Sequence, residues 1–192
     1  MSRFGPRTSK GLKTSKTIYI FCEGKTEEVY FSKLNQMTKK ANVKVVPKEV
    51  KMSGLELVEF AVRAEKSKPS EVYIVFDKDL NTISKIQKAY ALAKKNGFKV
   101  HFTNICFELW FLLHYERVNN NPITDSQLYK KMNRHINIQD YKNRKAEQKL
   151  VHQVAKNFSF AVANNDELLK INSYWGNNPY SDISVLVKEI FL

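Results

Sequence analysis

Three carboxylates stand where this sequence could do chemistry. Glu23 follows the apolar run Ile18-Tyr19-Ile20-Phe21-Cys22 and precedes Gly24-Lys25-Thr26, while Asp77 and Asp79 close a second apolar run, residues 72–76, as FDKD. An acid at the carboxyl end of a buried strand, next to a glycine turn that leaves room beside it, occupies the place where open α/β sheets put their ligands. In extended backbone, residues two apart point to the same side, so Asp77 and Asp79 can face one site. Two such carboxylates in a basic chain are costly unless a cation lies between them. Mg²⁺ or Mn²⁺ suits the role, because a hard ion binds through one or two carboxylates and keeps water and phosphate oxygens as its other ligands. A solvated DKD turn is the competing reading, since charged turns are common at strand ends. Glu23 tips the balance: if the two strands are neighbours, three carboxylates converge at one edge of a sheet.

The tripeptide Gly24-Lys25-Thr26 does not make a P-loop. That pattern needs a glycine five residues earlier, where Tyr19 stands, and the turn is too short to wrap phosphates.

The elements that must position these acids follow from periodicity. Strands are expected at 17–22, 43–50, 71–76 and 98–103, with Pro47 making the second an edge or irregular strand. Helices are expected at 26–40, from a capping box at 53–56 onward, and at 83–96, where Gly97 ends the helix. This β-α-β-α-β-α-β order predicts an α/β fold, a mostly parallel sheet with flanking helices. The second half reads as helical: a short apolar helix at 107–116, one capped by Asp125 and running to 135, helix over most of 144–169, a loop at 172–179 and a helix at 182–191. We therefore expect a basic flexible arm at 1–16 and a single domain at 17–192. Within it, 17–104 form the α/β core and 105–192 a mainly helical extension that returns to the sheet.

With 192 residues, 43% hydrophobic and 12% aromatic, the chain excludes general disorder. No apolar run approaches the roughly 20 residues of a membrane span, and no apolar segment of signal-peptide type follows the basic N-terminus. A soluble cytoplasmic protein is expected. Cys22 and Cys106 lack metal-type spacing and read as buried reduced thiols. The net charge of +13 points to a polyanionic partner, most simply nucleic acid. The candidate contacts are Arg3, Arg7, Lys10 and Lys13 in the arm, Lys25 beside Glu23, and Lys130, Lys131, Arg134, Arg144 and Lys145 in the second half.

The strand-terminal Glu before Gly, followed by a strand-terminal DxD, resembles the Toprim fold of topoisomerases, primases and OLD-type nucleases. The closer resemblance is to the RloB-like family, small Toprim-related proteins associated with restriction loci and abortive infection. It is carried by the basic leader, FCEGKTEEVYF (21–31), VFDKD (75–79) and NICFELWFLLH (104–114), and more weakly by YK (141–142) and NPYSDISVLVKEI (178–190). Ser181 stands where the family tends to have Thr, and the hydroxyl is kept.

The resemblance implies an acid–base or metal-binding role for Glu23 and metal binding by Asp77 and Asp79. Lys142, if it folds over the site, would neutralise phosphate charge in the transition state; a solvated lysine is the competing and more common reading. Glu108 follows the fourth strand closely enough to join the metal site, whereas His114, six helical residues on, would lie about 120° away around a regular helix. Trp110 and Phe111 read as core. Two functions compete: a Toprim-type, metal-dependent nuclease in anti-phage defence, or a catalytically weak nucleic-acid-binding or regulatory subunit. In either case the resemblance implies an AAA-type ATPase encoded nearby. A basic α/β protein with a solvated turn is the third and plainest reading.

Overall fold

The structure is a computed structural model that describes residues 16–40, 42–46, 52, 54–64, 70–78 and 81–192. Arg3, Arg7, Lys10, Lys13, Asp79 and the capping residue expected at Ser53 lie outside the described residues. The elements in order are β1 (Thr17–Cys22), α1 (Lys25–Thr38), β2 (Val43–Val46), α2 (Leu55–Ala64), β3 (Ser70–Asp77), α3 (Ile83–Lys95) and β4 (Lys99–Asn104). There follow α4 (Glu108–Leu112), α5 (Asp125–Ile136), α6 (Tyr141–Arg144), α7 (Gln148–Ala155), α8 (Phe158–Ile171), β5 (Tyr180–Ser181) and α9 (Ile183–Phe191).

The strands form one sheet in the order β2-β1-β3-β4-β5, with the first four parallel and β5 antiparallel to β4. The expected α/β class, a mostly parallel sheet flanked by helices, is the class observed. Helices cover both faces. β3 shows why: Val72, Ile74 and Phe76 enter the apolar cluster under α2 and α3, while Tyr73 and Val75 enter the larger cluster beneath α1 and α4–α9. A central parallel strand covered on both sides must be apolar at every position, not at alternate ones. Truncating one of its buried aromatics to alanine would cost about 3–5 kcal/mol.

The second half departs from expectation in detail. Thr124, not Asp125, caps α5: its hydroxyl accepts from the Gln127 N–H (3.3 Å), and the Gln127 side chain accepts in return from the Thr124 N–H (2.8 Å). α4 is shorter than the expected 107–116, because a segment apolar on all sides carries no phase by which to mark its ends. β5 reaches the sheet through two residues only, Thr103 pairing with Ser181 and Asn104 with Tyr180. Among the described residues no helix is long and apolar enough to cross a membrane.

Candidate functional site

The order β2-β1-β3-β4 sends the chain in opposite directions from β1 and β3, so a crevice opens at their carboxyl ends. Glu23 and Asp77 stand on its two sides. β1 and β3 are paired in register up to Cys22 and Val75, and the Glu23 N–H donates to the Val75 carbonyl (3.1 Å). In return, Glu23 Oε2 accepts from the Asp77 N–H (3.1 Å). The two acids are thus built into one junction.

The carboxyl of Asp77 is enclosed although the residue as a whole is only half-buried. One oxygen accepts from the Thr103 hydroxyl, on the adjacent β4, and the other from the Phe107 N–H (3.0 Å). Burial, then the charges of Glu27 and Glu23, push its pKa well above the usual carboxylate value, and the Thr103 hydrogen bond opposes the rise only in part.

A third carboxylate comes from α1. Glu27 is buried, and burial, reinforced by the charges of Glu108 and Glu23 and opposed by a backbone hydrogen bond and Lys145, raises its pKa to about 7. Its side chain folds back over the first turn, so that a Cβ on Gly24 would fall 2.3 Å from Glu27 Oε2. The room that Gly24 makes is therefore room for Glu27, not for Glu23. Glu27 stands in the first turn of α1, where acids are ordinary, yet the sequence carries a signal of its burial. Tyr30, Phe31 and Leu34, three, four and seven residues on, are all buried and mark the inward stripe on which Glu27 lies.

Glu108, at the start of α4, is 1% exposed and is paired through Oε1 with Lys145 Nζ at 2.9 Å. Burial disfavours the lysine's charge, but the Glu108 carboxylate outweighs it and holds the ammonium above its ordinary pKa. Here Lys145 reaches the acids and Lys142 does not: Lys142 is exposed on α6, its ammonium 5.9 Å from the centre of the Tyr129 ring. Lys145 directly follows α6, and both ammoniums lie beside the Tyr129 ring, at 5.9 and 5.7 Å, but only that of Lys145 reaches Glu108.

The remaining candidates are dispersed. His114 is fully enclosed, donating through Nδ1 to the Trp110 carbonyl (2.9 Å) and facing the Tyr30 hydroxyl through Nε2 (3.0 Å). Burial lowers its pKa to about 3, so it is a neutral core group. Trp110 and Phe111 are buried core residues. Lys25, Lys131 and Arg144 are engaged with Glu28 (2.8 Å), Glu116 (2.5 Å) and Glu147 (2.7 Å). Lys130 and Arg134 are exposed on α5. Cys22 and Cys106 are free and buried, and burial raises both thiols far from the thiolate form.

An all-oxygen donor set of Glu23, Glu27, Asp77 and Glu108 has the chemistry of a Mg²⁺ or Mn²⁺ site, and mutual repulsion among buried acids is what a divalent ion relieves. Among the described residues, no group of three or more His, Cys, Asp or Glu side chains is already drawn together as a ligand set. The Asn81 amide donates to the Asp77 carbonyl (2.8 Å), and the Asn81 N–H donates to the Lys78 carbonyl (2.6 Å).

A comparison with curated proteins finds no match. Among solved structures, a de novo designed Rossmann fold protein aligns over 46% of this chain and 84% of its own at 17% identity, with a TM-score of 0.32. A family model for RloB-like proteins matches residues 18–190, a span that takes in every described element except Thr17 and the last residue of α9. With Glu23, Asp77, Glu108 and Lys145 all inside that span, the chain belongs to the RloB-like family.

Proposed function

We propose that the carboxylate junction is the site of a Toprim-type, Mg²⁺-dependent nuclease that cleaves phosphodiester bonds of DNA or RNA in the cytoplasm as part of anti-phage defence. The observation that carries this reading is the junction of Glu23 and Asp77 at the carboxyl ends of adjacent parallel strands. Glu23, Asp77 and Asp79, with Glu27 or Glu108, would hold the ion. When bound, the metal would lower the pKa of an attacking water and stabilise the leaving oxygen. The chain's own part is to fix the acids. Thr103 and the Phe107 N–H orient Asp77, the Asp77 N–H orients Glu23, and Lys145 pairs with Glu108 while supplying positive charge near a phosphate. The net charge of +13 supports a polyanionic substrate, and an AAA-type ATPase encoded nearby remains the proposed partner.

The test is phosphodiester cleavage by the purified protein with Mg²⁺ or Mn²⁺, on DNA and RNA, with and without the ATPase. Glu23→Gln and Asp77→Asn should each abolish it, and cleavage retained in both would refute the site. A second reading is favoured by one observation: both Asp77 oxygens already accept internal hydrogen bonds, which suits a structural carboxylate. On that reading the chain is a nucleic-acid-binding or regulatory subunit, and wild-type protein would bind nucleic acid but cut none.

A further inference from the structure

The loop at 172–179 rises at the same sheet edge as the carboxylates. Asn104, the last residue of β4, is fully buried, and its amide is aimed at the carbonyls of Trp175 (3.4 Å), Gly176 (3.3 Å) and Asn177 (2.7 Å). Thr103, its neighbour in the same strand, holds Asp77. The loop is therefore pinned to the rim of the candidate site.

Two aromatic rings crown it. The Trp175 ring stacks on Tyr90 of α3, centroids 6.3 Å apart at 26°, and meets Phe102 edge-on at 6.1 Å and 85°. Tyr174 lies against Trp175 at 5.1 Å and is 55% exposed. A Cβ on Gly176 would fall 2.3 Å from the Tyr174 ring, so that ring is seated on bare backbone. The result is a tyrosine facing solvent on an anchored tryptophan, an arrangement that fixes a ring without burying it.

The helix beside it is basic. α3, which supplies Tyr90, carries Lys85, Lys88, Lys94 and Lys95, all exposed, and contains no acid. Lys94 and Tyr90 line an open groove of about 430 Å³ that continues to Phe98. Of the acids nearby, Asp182 is occupied by the Phe102 N–H (2.6 Å), and Glu56 lies 3.5 Å from Lys85.

We propose that Tyr174, seated on Trp175 and Tyr90, is a stacking platform for an unpaired base, with the phosphate backbone drawn along α3, so that the substrate class of the carboxylate site is single-stranded nucleic acid. This rests on the reading of that edge as a nucleic-acid site. A duplex keeps its base faces inside its own stack, whereas an unpaired base offers its π-face to an aromatic side chain.

Binding is measured with the full chain, without divalent metal so that nothing is cut, by fluorescence anisotropy of labelled single-stranded DNA and RNA oligonucleotides and of a duplex of the same sequence. We expect single strands to bind more tightly than the duplex and to quench tryptophan fluorescence. Tyr174→Ala should weaken single-strand binding roughly 5- to 100-fold and leave the duplex unchanged, with Tyr174→Phe restoring wild-type binding. Single-strand affinity unchanged in Tyr174→Ala, or an equal loss for strand and duplex, would overturn the platform. The two readings fail separately. A Tyr174 effect on binding in a protein that never cleaves leaves the platform standing without the nuclease. Cleavage that depends on Asp77 but not on Tyr174 does the reverse.

Discussion

A buried carboxylate is stable only as long as something answers its charge, and for Glu108 that answer is Lys145, at 2.9 Å. The lysine keeps partial access to water, which lowers both the cost of burying it and the energy of the pair. Lys145→Met should destabilise the protein by about 2–3 kcal/mol, somewhat less than the loss of a partner from a fully buried pair. Adding Glu108→Gln should recover most of that loss, and a double-mutant cycle in urea reads the coupling directly. Strict additivity of the two changes would show that the pair is not coupled. Residue scale is also where sequence was least informative. Glu23 and Asp77 were legible because each ends a long apolar strand. Lys145 was legible only as a basic candidate contact, not as the lysine beside Glu108, because nothing in the sequence distinguishes it from Lys142 one turn earlier. Glu27 carried the inward phase of α1 in plain view, yet acids in a first turn are so commonly explained by the helix dipole that its burial was hidden.

At the scale of elements, the entry into α1 is governed by a close approach. Gly24 has an extended backbone (φ −121°, ψ 164°) that any residue could adopt, so the need for glycine is steric. Its neighbour is the far end of a flexible side chain, which can move aside. Gly24→Ala should therefore cost less than about 1 kcal/mol in stability while pushing the Glu27 carboxylate out of the cluster. If that cluster holds a divalent ion, the rise in Tm on adding Mg²⁺ should shrink in the variant; an undiminished rise would separate Glu27 from ion binding. β1, β3, α3 and β4 were each legible to within a residue or so, because apolar runs and a terminating glycine mark them plainly. The strand order was not, since it depends on which helix crosses which face. β5 was not, because two residues are too few to carry any period.

For the molecule as a whole, acid sensitivity has a traceable source in His114, which is neutral inside the aromatic cluster of Tyr30, Phe107, Trp110 and Phe111. Its folded pKa is depressed from 6.5 to about 3, chiefly by burial. The unfolded chain therefore binds the extra proton first: the contribution of this group is complete above about pH 6.5 and is lost as pH falls toward 3. Denaturation midpoints followed from pH 8 to pH 4 should fall more steeply in wild type than in His114→Gln. Parallel curves would move the acid sensitivity elsewhere.

The two-residue strand β5 also bears on the order in which the molecule becomes complete. Until it arrives, β4 presents an unpaired edge at Thr103 and Asn104, the residues that hold Asp77 and the loop bearing Tyr174. Asp182, just beyond β5, supplies the Phe102 N–H with an acceptor that a longer strand would otherwise provide. The four parallel strands and the residues that join Glu23 to Asp77 all precede β5 in the chain, so the β4 edge of the sheet is closed only by residues 180 and 181. A chain that stops short of residue 180 would carry the Glu23–Asp77 junction on a sheet whose β4 edge is still open.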